Sequence, residues 1–208
     1  MDAATLLRGA LIGFSIAAPV GPIGVLCIRR TLADGRAQGF VSGLGAATAD
    51  AVYGSVAAFG LTFVSGFLVS RQPWLRLVGG AFLCYLGVKT FLARPAERGA
   101  VAGGRGLAGA YASTFFLTLT NPTTILSFAA IFAGLGLGGA AGSYAAAAML
   151  VLGVFLGSAL WWLILSGSVA PLRAQFGPGG LGWVNRLSGV IIAAFGILAL
   201  LSLKAWSP

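Results

Sequence analysis

Gly39-Phe40-Val41-Ser42-Gly43-Leu44-Gly45-Ala46-Ala47-Thr48-Ala49-Asp50-Ala51-Val52-Tyr53-Gly54-Ser55-Val56-Ala57 is a run of apolar and small residues interrupted by one acid. The chain has four acids, and Asp2, Asp34 and Glu97 lie at a terminus or in arginine-bearing connections. Asp50 alone sits where the surrounding sequence demands a lipid solvent. A carboxylate at bilayer depth costs roughly 2.5–3.5 kcal/mol on insertion scales, so such a group usually lines a polar pathway. At about 100° per residue, Gly39, Gly43, Ala47, Asp50, Gly54 and Ala57 share one narrow arc of a helix. Small residues there let a neighbouring helix approach closely, which turns Asp50 toward protein or a cavity. Two readings of Asp50 stand side by side: a proton carrier or partner for a substrate ammonium, and a group that only bonds freed backbone or stays protonated.

Composition agrees with that solvent. Of 208 residues, 58% are hydrophobic and 8% charged, and mean hydropathy is +0.97. A soluble domain carries about 25% charged residues. Six apolar segments, near 5–28, 38–67, 74–93, 108–135, 143–170 and 186–205, each suit a membrane helix. An open sheet would leave amides unpaired in hydrocarbon, so the expected fold is an all-α polytopic membrane protein. Residues 1–28 resemble a signal peptide, but Pro19 after Ala17-Ala18 disfavours cleavage and the segment is read as a retained helix.

The net charge of +9 does not point to nucleic acid, because the basic residues sit between apolar runs without interleaved aromatics. With both termini outside, nine bases fall inside (Arg29, Arg30, Arg36, Lys89, Arg94, Arg98, Arg105, Arg173, Arg186) and four outside (Arg8, Arg71, Arg76, Lys204). The positive-inside rule favours that orientation. There is no histidine, and Cys27 and Cys84 form no metal or redox motif, so neither a metal nor a cofactor is expected. Gly134 to Gly139 matches a dinucleotide-loop spacing, yet it follows a membrane segment and no acid comes after it; Phe176 to Gly182 reads as a Gly/Pro turn.

The two halves echo each other. Gly9-Ala10 precedes Pro22 as Gly109-Ala110 precedes Pro122; Gly45 and Tyr53 are spaced as Gly153 and Trp161; Arg76-Leu77-Val78-Gly79 answers Arg186-Leu187-Ser188-Gly189. Three helices per repeat is an odd number, so the second repeat (108–208) must be inverted relative to the first (1–93), with 94–107 as the connecting loop. Within this frame, Pro19 and Pro22 cannot both sit in an unbroken helix, and Asn121-Pro122 is a cap followed by a first-turn proline. Helices 1 and 4 are therefore expected to break inside the membrane and present bare amide ends, which attract anions. A plain proline kink is the competing reading. Pro19, Gly21, Pro22, Asp50, Asn121 and Pro122 are the candidate substrate-binding residues, and Asp50 the candidate for proton coupling. Tyr53 and Trp161 are weaker candidates for the pathway wall, since aromatics beside glycine faces commonly just pack.

At these residues the chain resembles the LysE/RhtB superfamily of amino-acid exporters. The likeness rests on the Pro/Gly/Pro break of the first helix, Gly35-Arg36 then Gly39 opening the second, Gly45 through Asp50 within it, Gly79 to Gly87 in the third segment, and Asn121-Pro122 in the fourth. The family's common Pro-Gly-Pro reads Pro19-Val20-Gly21-Pro22 here, and that extra residue leaves the solute open. The resemblance implies a multi-pass inner-membrane permease, not an enzyme, that exports amino acids or related metabolites by antiport with the proton-motive force. Its partners would be a small solute and the lipid bilayer, with a homo-oligomer left open. A cation or metal permease and a non-transporting assembly subunit are the alternatives. A hard cation wants several oxygen ligands, and one carboxylate with Asn121 is a thin set.

Overall fold

A computed structural model describes residues 3–19, 21–59, 72–93, 106–121, 124, 127–128, 144–175 and 178–203. Among them there are seven α-helices and one 3₁₀ segment, and no strand. The first helix, α1 (Ala3–Ala17), stops where Pro19 withdraws a donor and restricts the residue before it. The next helix, α2 (Pro22–Asp34), begins with proline at N1 and Gly21 as N-cap. The two rods meet at 82°, so the first predicted segment is indeed broken at its prolines. It also runs further than expected: Arg29 and Arg30 lie inside α2 instead of closing the segment. At Gly35, with φ +103, the chain then reverses through a conformation a Cβ would strain.

Helix α3 (Arg36–Ala58) carries the stretch around Asp50 and α4 (Gln72–Phe91) the third segment. Helix α5 (Leu107–Leu119) ends with Thr120 as C-cap, Asn121 is non-helical and Thr124 is helical again. Pro122 lies outside the described residues, as do Gly134–Gly139 and 94–105. After α6 (Tyr144–Val169) comes the 3₁₀ segment Ala170–Gln175, then α7 (Pro178–Leu201). The expected turn through Gly182 is corrected here, because Pro178 to Gly182 already belong to α7. Proline is tolerated in a first turn, and buried Leu181 and Asn185 hold the added turns against the bundle.

Polarity is inverted relative to a soluble protein. Leu7, Leu11, Trp74, Phe116, Trp183 and Leu198 are exposed, while Ser42, Asp50, Thr114, Ser158 and Asn185 are buried. The 32-residue stretch Tyr144–Gln175 and the 23-residue stretch Gly179–Leu201 are long and apolar enough to cross a membrane, and the bent pair α1 and α2 passes the same test together, as a broken span or a re-entrant loop.

Four helix pairs carry the packing: α1 with α6, α4 with α7, and α3 with both α5 and α6. Small residues set their closeness. A Cβ on Gly9 or Gly13 would overlap the carbonyl oxygens of Leu150 or Val154, and one on Gly157 the carbonyl of Ala10. These contacts advance together along both chains, so α1 and α6 run parallel. Tyr111 with Thr48 and Tyr53 with Leu119 make α5 and α3 parallel too. In contrast, α3 opposes α6 and α4 opposes α7: Gly43 meets Trp162 while Gly54 meets Val154, and Gly80 meets Gly196 while Gly87 meets Ala193.

Candidate functional site

The arc of small residues on α3 faces α2 and α6. Gly39 abuts Thr31, Gly43 abuts the Trp162 ring and Gly54 abuts Val154. Asp50, 3% exposed, is set in the middle of this seam. Ser158 donates its hydroxyl to Asp50 Oδ2 at 2.7 Å, and Trp162 Nε1 donates to Ser158 Oγ at 3.2 Å. Ser158 and Trp162 are one helical turn apart on α6, so this relay costs no backbone distortion.

A cavity of about 570 Å³ opens beside this carboxylate. Of the sequence candidates, Pro19, Gly21, Pro22, Asp50 and Asn121 all line it. The break between α1 and α2 thus forms one wall, and a Cβ on Gly21 would meet nothing within 4 Å. Ile23 and Gly24, which also line the cavity, occupy the first turn of α2, where amides have no intrahelical acceptor. The end of α5 supplies the facing wall through Thr118, Thr120 and Asn121. The arrangement offers an ionisable acid, hydroxyls and a positive helix end around a mostly apolar chamber, a combination that holds a small polar solute.

Tyr53 and Trp161 stand outside this lining. Tyr53 donates its hydroxyl to the Leu119 carbonyl and packs on Phe128, and Trp161 meets Phe14 edge-on. The aromatic residues of the wall are Trp162 and Phe195 instead.

From Asp50 the chamber extends toward the first turns of α4 and the last turns of α7, where Arg76 and Ser202 line it. At the other end of the bundle, α2 lies across the helix termini and is bonded down. Arg30, 6% exposed, donates from Nη1 to Ser42 Oγ (2.8 Å), the Ala110 carbonyl (3.0 Å) and Thr114 Oγ1 (2.9 Å), and from Nη2 to Ser113 Oγ (2.8 Å). One guanidinium thereby ties α2 to α3 and α5. Arg29 Nε donates to Asn185 Oδ1 at 2.9 Å and pairs with Asp34 at 3.5 Å, and Asn185 Nδ2 donates to the Ala93 carbonyl at 3.0 Å. Arg173 reaches the Ala33 carbonyl at 3.2 Å.

Sequence reasoning missed Ser158, Trp162, Arg30, Asn185 and Arg76. A signal for Ser158 existed: the offset of 108 that carries Gly45 to Gly153 also carries Asp50 to Ser158. By position Arg30 and Arg76 read as charges flanking spans, and spacing alone does not separate a flank from a charge that turns inward.

The chain matches the LysE type translocator family over residues 14–203. It is also 28% identical over 191 residues to the Bacillus subtilis (strain 168) protein named "Putative amino acid efflux protein YcgF", covering 89% of this chain and 90% of that one. No solved structure matches it.

Proposed function

This chain belongs to the LysE type translocator family, and from that premise we propose that it is a secondary transporter exporting an amino acid or a related small metabolite across the inner membrane, in exchange for protons. The observation that carries this reading is the cavity in which Asp50, the broken start of α2 and Asn121 converge. An α-amino acid presents an ammonium and a carboxylate. Asp50 suits the first, or exchanges a proton for it. The amide end of α2 and the side chain of Asn121 suit the second.

The architecture in this proposal is six spans in two inverted repeats, 1–93 and 108–208. Span one is α1 with α2, and span four is α5 with the segment past Pro122. The pairing of helices supports it. Exchanging spans one, two and three with four, five and six maps the parallel pair α1 and α6 onto the parallel pair α5 and α3. It maps the antiparallel pairs α3 with α6, and α4 with α7, onto themselves. Asp50 touching Ser158, its own counterpart at the offset of 108, is the contact expected on a two-fold axis.

The basic residues Arg29, Arg30, Arg36, Lys89, Arg173 and Arg186 gather at the end that α2 crosses, so that end is cytoplasmic by the positive-inside rule. The cavity then belongs to an outward-facing state, and export requires α2 to release Arg30 from Ser42, Ser113 and Thr114 as one repeat rocks against the other. Counterflow in proteoliposomes tests the site: Asp50→Asn should abolish exchange driven by a pH gradient while the protein stays folded. Unchanged pH-driven exchange would remove Asp50 from the mechanism.

A further inference from the structure

We propose that the solute is a zwitterionic amino acid whose side chain is uncharged and largely apolar, oriented with its ammonium toward Asp50 and its carboxylate toward Arg76. This rests on the transport reading above and narrows it. Among the described residues that line the cavity, Asp50 is the one acid and Arg76 the one base. Their charges are opposite and cancel, which is the complement of a zwitterion with no further charge.

A lysine-like solute would bring a second cation into a chamber with a single carboxylate, and a glutamate-like one a second anion with a single guanidinium. Either would leave a charge desolvated without a partner, and that is the costliest outcome in a site of low dielectric. Much of the remaining wall is hydrocarbon: Ile16, Leu83, Leu117, Trp162, Phe195 and Leu198 line the same cavity, beside the hydroxyls of Thr118, Thr120 and Ser202. At about 570 Å³ the chamber falls among ordinary small-molecule sites, which span roughly 300–1,000 Å³.

Arg76 enters from the first half of α4 and donates from Nη1 to Ser202 Oγ, just past the end of α7, at 3.0 Å. That bond fixes the guanidinium at the seam of two helices. Its planar fork can hold a carboxylate with two parallel bonds, which a lysine in the same place could not do. The start of α2, lining the same cavity, adds a partial positive charge from its amides.

The test uses the full chain in proteoliposomes, loaded with leucine, lysine or glutamate, and isoamylamine (leucine without its carboxylate) as a competitor. Leucine should be carried, with lysine and glutamate at least about tenfold slower. Arg76→Gln should raise the half-saturation concentration for leucine by about tenfold or more, and Arg76→Lys should restore part of it, as a charge-assisted hydrogen bond predicts. Inhibition by isoamylamine, which has nothing for Arg76 to hold, should be the same in wild type and Arg76→Gln. Preferred transport of lysine or glutamate would overturn the substrate class and leave the exporter reading intact. Equal weakening of leucine and isoamylamine in Arg76→Gln would overturn the carboxylate role and mark Arg76 as structural. A wild-type protein that moves none of the three amino acids would overturn the amino-acid assignment and with it this orientation in the cavity.

Discussion

The end of the bundle that α2 crosses and the end that holds the cavity are both polar, but they are assembled from different parts. At the crossed end Arg30 is closed in by hydroxyls and a carbonyl from α3 and α5, and Arg29 and Asn185 extend the network to α7 and to the Ala93 carbonyl past α4. At the cavity end a hydrogen bond from Arg76 to Ser202 joins α4 to the end of α7 beside largely apolar walls. A donor in a dense network is costly to strip, because several charge-assisted bonds are lost together in a dry site. A donor in a roomy chamber is cheap to redirect toward a ligand. The same residue type thus acts as a fastening at one end and as a receptor at the other, and the surroundings decide which.

The largest effect should come from breaking the fastening. Arg30→Ala removes four charge-assisted hydrogen bonds at once and leaves Ser42, Ser113 and Thr114 only their bonds to the Gln38 and Ala110 carbonyls, a loss of roughly 3–5 kcal/mol. For a chain of this size each kcal/mol is about 2–4 °C, so the melting temperature in detergent should fall by about 10 °C. Opening should be visible at Cys27, which is 2% exposed on α2. In a Cys84→Ser background, a membrane-permeant maleimide should label Cys27 far faster once Arg30 is gone. Equal labelling rates would mean that this end does not open through α2, and the contrast between the two ends would lose its mechanical meaning.

Much of this arrangement was legible in the chain, and the rest was hidden for definite reasons. The break at Pro19–Pro22 follows from two missing donors, and the seam around Asp50 follows from the spacing of Gly39, Gly43 and Gly54; both are local facts that a helix preserves. The reach of α2 to Asp34 was not legible. Arg29-Arg30 resembles a span flank because the flank rule reads position along the chain, whereas the 82° bend carries these residues across the bundle. Arg76, a flanking charge by position, turns into the cavity, which spacing along the chain does not show. The early start of α7 was masked by Pro178, Gly179, Gly180 and Gly182, a turn-like composition that burial of Leu181 and Asn185 overrides. Tyr53 and Trp161 have the right spacing to echo each other but do not line the chamber: Tyr53 lies one turn beyond Asp50 on the same face of α3, where its hydroxyl meets the Leu119 carbonyl, and Trp161 packs on Phe14.

An intermediate effect should follow from Asn185→Ala. This side chain accepts from Arg29 Nε and donates to the Ala93 carbonyl, and it is 2% exposed. Its removal leaves one donor and one acceptor unpaired, about 1–3 kcal/mol. The melting temperature should drop by less than in Arg30→Ala, and Cys27 labelling should rise by a smaller factor. If the two variants are combined, their effects should fall short of additive, because both loosen the same helix. Full additivity would show that Arg29 and Arg30 hold α2 independently, and would divide the crossed end into two separate contacts.

The smallest effect belongs to the cavity end. Ser202→Ala deletes the acceptor of Arg76 Nη1, but the guanidinium borders a chamber large enough for water or solute to replace it. Stability should change by no more than about 0.5–1 kcal/mol, and Cys27 labelling should match the parent protein. The affinity for a carboxylate-bearing solute should move instead, by a few-fold, since Arg76 is then less firmly placed. A large loss of stability with unchanged affinity would make the Arg76–Ser202 bond a second fastening, and the difference between the two ends would be one of degree.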